Sequence, residues 1–431
     1  MQTASKKVIN GWAMYDWANS VYNLVITSTI FPAYYEGITK VNGDDTVMFL
    51  GRKFVNTALY NYAIAFAILV VAILIPILSS IADYKGNKKN FMRFFCTMGS
   101  IACTSLFFFT DKNSIGIGIA CVIVACIGFW SSLVFYNSYL PEIASEKDRD
   151  MISAKGFTMG YIGSVLLQVI CLVLVFTMKD GALAARLSFV MVGLWWIGWA
   201  QIPFNRLPKG EPSAHRPEKS VLANGFIELK KVWAQVKSMP VLKRFLAAFF
   251  FYNMGVQTVM LAAALFGAKE LNMPTDKLII TILIIQLVAI AGAYLMAKLA
   301  GRYSNLHVLA FVVTIWILIC IAAYFTKTDI EFYLLGAAVG LVMGGIQSLS
   351  RSTYSKLMPE TKDTASFFSF YDVTEKIAIV IGMFTFALLE ELTGSMRNSV
   401  LAIMIFFIIG LLLLMSTISV KKAIDKKLIS A

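Results

Sequence analysis

An ionisable side chain inside a long apolar run is costly to place in lipid, so the few that interrupt such runs mark where chemistry concentrates. Asp16 stands about one turn into the apolar run Gly11 to Tyr35. Ser20, Asn23 and Thr27 follow it at i+4, i+7 and i+11, which on a helix is one polar stripe, with Asn19 beside it. Such a stripe offers hydrogen bonds and one anion to a small polar solute; an anchor for the helix end in the headgroup region is the alternative. Trp12, Tyr15, Trp17 and Tyr22 flank the stripe and are candidate cavity walls. A second group, Tyr371, Asp372, Glu375 and Lys376, interrupts the run Ala365 to Leu389. Asp372 and Lys376 stand at i,i+4, the spacing of a helical ion pair. Glu375 adjoins Lys376 but lies about 100° round the helix, so it is predicted to be the less compensated carboxylate and the better proton site. A structural ion network that changes partners and an exposed cluster near the inner surface are the alternatives.

Positioning these groups requires membrane helices. The 431 residues are 58% hydrophobic and 15% charged, against about 25% charged in a soluble domain. Crossing the hydrocarbon takes about 20 mostly apolar residues. Uncharged stretches of that kind are Phe54 to Ala82, Phe94 to Thr110, Asn113 to Pro141, Gly156 to Met178 and Leu187 to Asn205. In the second half they are Phe245 to Ala268, Leu278 to Ala297, Leu306 to Thr326, Phe332 to Ser350 and Asn398 to Val420. With the two charged runs, twelve spans are predicted. Runs such as IAFAILVVAILIPILSSIA do not alternate, which excludes a β-barrel. With the N-terminus inside, inner segments hold 27 Lys and Arg and outer segments 10, while carboxylates divide evenly. Both termini are therefore predicted to be cytoplasmic. The net charge of +13 has this membrane explanation and gives no reason to invoke nucleic acid.

Other chemistry is poorly supplied. All six cysteines fall in spans without a CxxC pair, and His215 and His307 have no ligand partner, so no metal and no cofactor is expected. No P-loop, GxGxxG or nucleophile motif appears, which argues against an enzyme or an ATP-driven pump. No cleavable leader is expected before the first span. Trp130, Trp195, Trp196, Trp199 and Trp316 lie in or near spans, where interface and cavity roles look alike.

Residues 206–244 separate two halves, 1–205 and 245–431. They include the polar stretch PKGEPSAHRPEKS and then Leu222, Phe226, Leu229, Trp233 and Val236, an amphipathic stripe with Lys219, Lys230, Lys231 and Lys237 off it. A helix resting on the inner leaflet or on the undersides of the domains is expected there. The halves repeat weakly at an offset of 218, matching Ala82 with Ala300, Asn87 with Asn305, Tyr136 with Tyr354, Pro141 with Pro359 and Glu142 with Glu360. Two six-helix halves of parallel topology alternate access by rocking about a central site.

Three segments carry a family resemblance. Ala82-Asp83-Tyr84-Lys85-Gly86-Asn87-Lys88-Lys89 resembles the loop signature of the major facilitator superfamily, with Ser79 in place of its Gly and Asn87 in place of a basic residue. Its second-half copy, around Gly301-Arg302, has lost the Asp. WAMYDWANSVYNLVITSTIFPAYY, from Trp12, and GGIQSLSRSTYSKLMPETKDTASFFSFYDVTEKIAIVIG, from Gly344, resemble the Atg22-like branch of that superfamily, also called the UMF1 family. Ser369 replaces a Gly frequent there, and Gly382-Met383 replaces a Gly-Pro pair, which removes a bend. The resemblance implies the twelve-helix all-α fold and a gating loop of Asp83, Gly86, Lys88 and Lys89, in which Asp83 meets the start of the eleventh helix near Thr364 and Ala365. Arg351 is a candidate partner of Asp83 or Asp372, or a lipid-phosphate anchor. The fungal member exports amino acids from the vacuole, which implies small zwitterionic solutes.

The expectation is a monomeric, multi-pass protein of a bacterial cytoplasmic membrane that moves a small polar solute, such as an amino acid, with protons or another coupling ion. The competing expectation is a receptor or lipid-handling scaffold, whose helices would pack without a polar cavity.

Overall fold

The computed structural model describes residues 2–40, 44–210 and 221–429. The described chain is helical apart from one hairpin and short connections. The first helical stretch is α1 (Lys6–Val21), a π-helical segment (Tyr22–Thr29) and α2 (Ile30–Thr39). The hairpin β1 (Thr46–Phe49) and β2 (Arg52–Val55) follows. Then come α3 (Asn56–Lys85), α4 (Lys88–Ser105), α5 (Ile115–Asn137), the single turn α6 (Leu140–Ile143), α7 (Arg149–Thr177) and α8 (Gly181–Arg206). The second half holds α9 (Val221–Ser238), α10 (Pro240–Glu270), α11 (Thr275–Tyr303), α12 (Asn305–Phe325), α13 (Asp329–Leu357), α14 (Thr364–Thr393) and α15 (Met396–Ile429).

Among the described residues, 10 helices are long and apolar enough to cross a membrane. The two charged runs fall outside that number for physical reasons. The first is divided among three helical segments, and α14 carries Asp372, Glu375 and Lys376 within its apolar stretch.

Two compact units divide the chain. One comprises Met1–Ala4, Tyr139–Thr158 and Ile227–Ala431; the other comprises Ser5–Ser138 and Met159–Phe226. The short segment Tyr139–Thr158 groups with the second-half helices because its hydrogen bonds run to them. Arg149 donates to the Ser355 carbonyl at 2.6 Å, and the Thr364 hydroxyl donates to Glu142 at 2.7 Å.

Within the first unit, α11 and α13 pack backbone to backbone. Gly336, Gly340 and Gly344 recur every four residues along α13. A Cβ on Gly340 would meet the Ile285 carbonyl oxygen at 2.5 Å, and one on Gly344 the Ala289 oxygen at 2.2 Å. This is the small-residue packing that lets membrane helices approach closely where lipid supplies no hydrophobic drive. Ala154, Ala293 and Ala297 form a fully buried cluster beside it.

At the offset of the sequence repeat α3 and α11 both end on a residue of positive φ, but only the first forms a left-handed cap. Gly86 closes α3 at φ 62°, and Asn87 N–H reaches back to the Ala82 carbonyl at 3.1 Å, a left-handed cap. Ser304, at the same offset, closes α11 with φ 73°. In the hairpin, Leu50 and Gly51 have φ 49° and 75°, the geometry of a two-residue turn that favours Asn-Gly. A left-handed Leu costs roughly 1–2 kcal/mol.

The linker helix is α9. Among its described side chains Val232 and Val236 are buried, and Trp233 stacks on Phe370 at 5.8 Å. His215, Lys219 and the side chains of Leu222 and Phe226 lie outside the described residues.

Candidate polar sites in two helix pairs

In the unit built around α1, the sequence-predicted stripe begins deep and ends open. Asp16 and Asn19 are buried, Ser20 and Thr27 half-buried, and Asn23 exposed. Asp16 accepts a hydrogen bond from the Tyr136 hydroxyl at 2.7 Å. Trp12 fixes that tyrosine twice. Its indole N–H donates to the Tyr136 carbonyl at 3.0 Å, and the two rings stack at 4.5 Å. Tyr15 packs against Tyr136 and Phe204. Trp12 and Tyr15 are 0% exposed, so both scaffold the carboxylate; neither is a cavity wall as the sequence suggested. Tyr22 is likewise enclosed by Phe129 and Trp196. Small residues bring α7 against this stripe, since a Cβ on Gly160 would lie 2.5 Å from the Ser20 hydroxyl.

The stripe does not continue as one α-helical face. From Tyr22 to Thr29 the helix is π-helical, with amides reaching carbonyls five residues back, and the wider turn rotates Thr27 away from the α register. The local cause is hydroxyl chemistry. Ser28 donates to the Asn23 carbonyl at 2.8 Å and Thr29 to the Leu24 carbonyl at 2.7 Å, both at i−5. The run Thr27-Ser28-Thr29 was the signal present in sequence. Gln168 of α7, not recognised there, lies 2.9 Å from the Thr29 hydroxyl and is 1% exposed.

In the other unit, α14 brings Asp372, Glu375 and Lys376 together. The Lys376 ammonium donates to Asp372 at 2.9 Å and to Glu375 at 3.1 Å. The first contact is the predicted i,i+4 pair. The second corrects the prediction that Glu375 is the less compensated carboxylate. The lysine stem is long enough to bridge both groups, and Gln257 of α10 also donates to Glu375 at 3.2 Å. Both Glu375 oxygens therefore have partners. Asp372 is 5% exposed, yet its Oδ2 has no hydrogen-bond partner in the structure, and neither does the buried Nδ2 of Asn253 on α10. Asn253 and Gln257 were not recognisable in sequence, since amides in a span carry no charge signal. Tyr371 stacks on Phe249 at 4.3 Å, which ties α14 to α10 one turn below.

Arg351 is 3% exposed, which corrects the lipid-phosphate alternative. Its Nε donates to the Ser153 hydroxyl at 3.0 Å, its Nη2 to the Ser153 carbonyl at 2.8 Å, and its guanidinium lies 4.2 Å from the Phe157 ring centre. Nearby Lys356 donates to Asp150 at 2.5 Å and to Asn305 at 3.0 Å, and Asn305 donates to Asp150 at 2.6 Å. These groups saturate one another and clamp the start of α7 to α12 and α13. In the signature loop, Asp83 and Lys88 are both 4% exposed, and Lys89 donates to the Leu207 carbonyl at 2.8 Å. Among the described residues no group of three His, Cys, Asp or Glu is placed to hold a metal.

The family model described as "Vacuole effluxer Atg22 like" matches residues 4–149 and 144–427. The chain belongs to that Atg22-like family. Among its relatives is the Bacillus subtilis protein described as "Uncharacterized MFS-type transporter YxiO", 32% identical over 94% of this chain and 93% of the relative. Autophagy-related protein 22 of Saccharomyces cerevisiae (strain ATCC 204508 / S288c) is 24% identical over 97% of this chain and 92% of its own. In fold, the chain resembles the E. coli fucose:proton symporter FucP (TM-score 0.69, 12% identity, 95% of this chain and 97% of that chain). The Atg22-like chain is thus an all-α, multi-spanning membrane protein with the major facilitator fold, a transporter and not an enzyme.

Proposed function

We propose that this chain carries a small polar solute of amino-acid size by alternating access, and that the α10–α14 cluster couples the movement to one monovalent cation. The reading includes twelve spans, with two six-helix bundles at 1–205 and 245–431, the linker 206–244, cytoplasmic termini and a bacterial cytoplasmic membrane as the site of action. The observation that carries it is the unbalanced cluster on α14. Asp372 and Glu375 share one ammonium, which leaves one negative charge in a cluster largely withdrawn from solvent. A buried net charge of that kind calls for a counter-ion. The unpartnered Asp372 oxygen is where a proton or small cation adds at least cost. Asp16, Asn19, Ser20, Asn23 and Tyr371 are proposed solute contacts. Asp83, Gly86, Lys88, Lys89 and Arg351 are proposed to set the gate.

The test uses purified protein in liposomes with amino acids, short peptides and sugars as solutes. Gradient-driven uptake and solute counterflow are measured side by side. Asp372→Asn should abolish pH-gradient-driven accumulation and spare counterflow, because Lys376 keeps Glu375 as its partner. Glu375→Gln should retain accumulation. If folded protein exchanges no solute under any gradient, the carrier reading fails and a receptor or scaffold takes its place.

A further inference from the structure

The hairpin Thr46–Val55 has the wrong residues for a solvent loop. Its tip is Leu50, left-handed and 87% exposed, and Met48 on the same strand face is 61% exposed. A left-handed position that Asn or Gly fills without strain here holds a large apolar side chain with almost no intramolecular contact. The charges are sorted along the hairpin. Asp44 and Asp45 lie at its base, where Lys112 pairs with Asp44 at 3.6 Å and donates to the Thr46 carbonyl at 3.2 Å. Arg52 and Lys53 are exposed next to the tip, opposite Phe49 and Met48. The hairpin also leans on an exposed apolar surface. Phe54 contacts Tyr62 at 6.4 Å, and Tyr62 heads the exposed apolar stripe Tyr62, Phe66, Leu69 and Ile73 along α3.

We infer that this hairpin is a membrane-interface anchor. Met48 and Leu50 enter the headgroup boundary of the protein's own bilayer, and Arg52 and Lys53 engage the phosphates of anionic phospholipid. An apolar tip with cations immediately behind it is the arrangement that binds such a surface. Continuity with the α3 stripe favours the leaflet over a soluble partner, because that stripe lies on a helix long and apolar enough to cross a membrane. The anchor holds the connection between α2 and α3, so it steadies the end of the first helical stretch farthest from Asp16.

The experiment labels Leu50→Cys with an environment-sensitive fluorophore in the full-length protein, reconstituted in phosphatidylcholine vesicles with and without phosphatidylglycerol. Asp45→Cys is the control at the hairpin base, and the parent chain reports labelling of native cysteines. The label at position 50 should be quenched by shallow spin-labelled lipid and protected from aqueous iodide, with the reverse at position 45. Removing one cation, by Arg52→Ala or Lys53→Ala, should lower the ratio of inserted to free tip in anionic vesicles by roughly fivefold. Equal iodide quenching at both positions would overturn the anchor. So would protection of position 50 from both quenchers, which would mean a protein neighbour. Neither depends on whether the chain transports any solute.

Discussion

Asp16 on α1 and Asp372 on α14 are both buried, the latter with half-buried Glu375 beside it, but they are held by opposite means. Asp16 rests against a tyrosine that is itself bolted down by an indole N–H and a stacked ring. Those partners are rigid aromatics with few rotamers. Asp372 and Glu375 are held by a lysine and a glutamine, long side chains with many rotamers. The first arrangement suits a fixed recognition point, since its geometry is set before anything binds. The second suits a step in which partners exchange, since small torsions move the ammonium between carboxylates.

The comparison breaks first at Lys376. Lys376→Met leaves buried Asp372 and half-buried Glu375, one turn apart, without their cation, a loss expected to cost about 3–5 kcal/mol. Thermal unfolding in detergent should show a large fall at neutral pH, with partial recovery in acid as the carboxylates take up protons. Stability unchanged at neutral pH would mean that the cluster is open to water. Next is the contrast between Asp372→Asn and Glu375→Gln. Loss of gradient-driven uptake in the second and not in the first would reverse the assignment of the coupling oxygen. On α1, Tyr136→Phe removes a single neutral donor and should cost about 1–3 kcal/mol. It should weaken solute counterflow and leave the pH dependence of uptake alone; a shifted pH profile would erase the distinction between the sites. The smallest effect is expected from Ser28→Ala, which deletes one exposed i−5 hydroxyl bond worth about 1 kcal/mol. Slower exchange with unchanged stability would point to the π-helical segment as a moving part.

How much of this was readable in the sequence follows the range of the interactions. The Asp372–Lys376 pair is local, set by helix geometry, and the spacing named it. The cap at Gly86 is local too, and so are the apolar runs. Tyr136 lies 120 residues from Asp16, so only the fold reveals it as the partner. The reach of Lys376 to Glu375 depended on a rotamer, which a helical wheel ignores. The π-helical segment was hidden because hydropathy is indifferent to whether an amide reaches back four residues or five. Arg351 read as a lipid anchor because charge near a span end is ambiguous until Ser153 and Phe157 are placed around it.

The glycine face of α13 has one more consequence. Side chains that interlock can be reshuffled into a neighbouring register, as teeth on a rack can slip by one notch. Bare backbones in contact have no teeth. With Gly340 and Gly344 laid on the Ile285 and Ala289 carbonyls, a slide of α13 along α11 would press a side chain where only a hydrogen fits, so the two helices favour tilting together over slipping along their seam. Any deformation in that unit is then borne by the helices outside this pair, among them α10 and α14, whose long polar side chains can follow it.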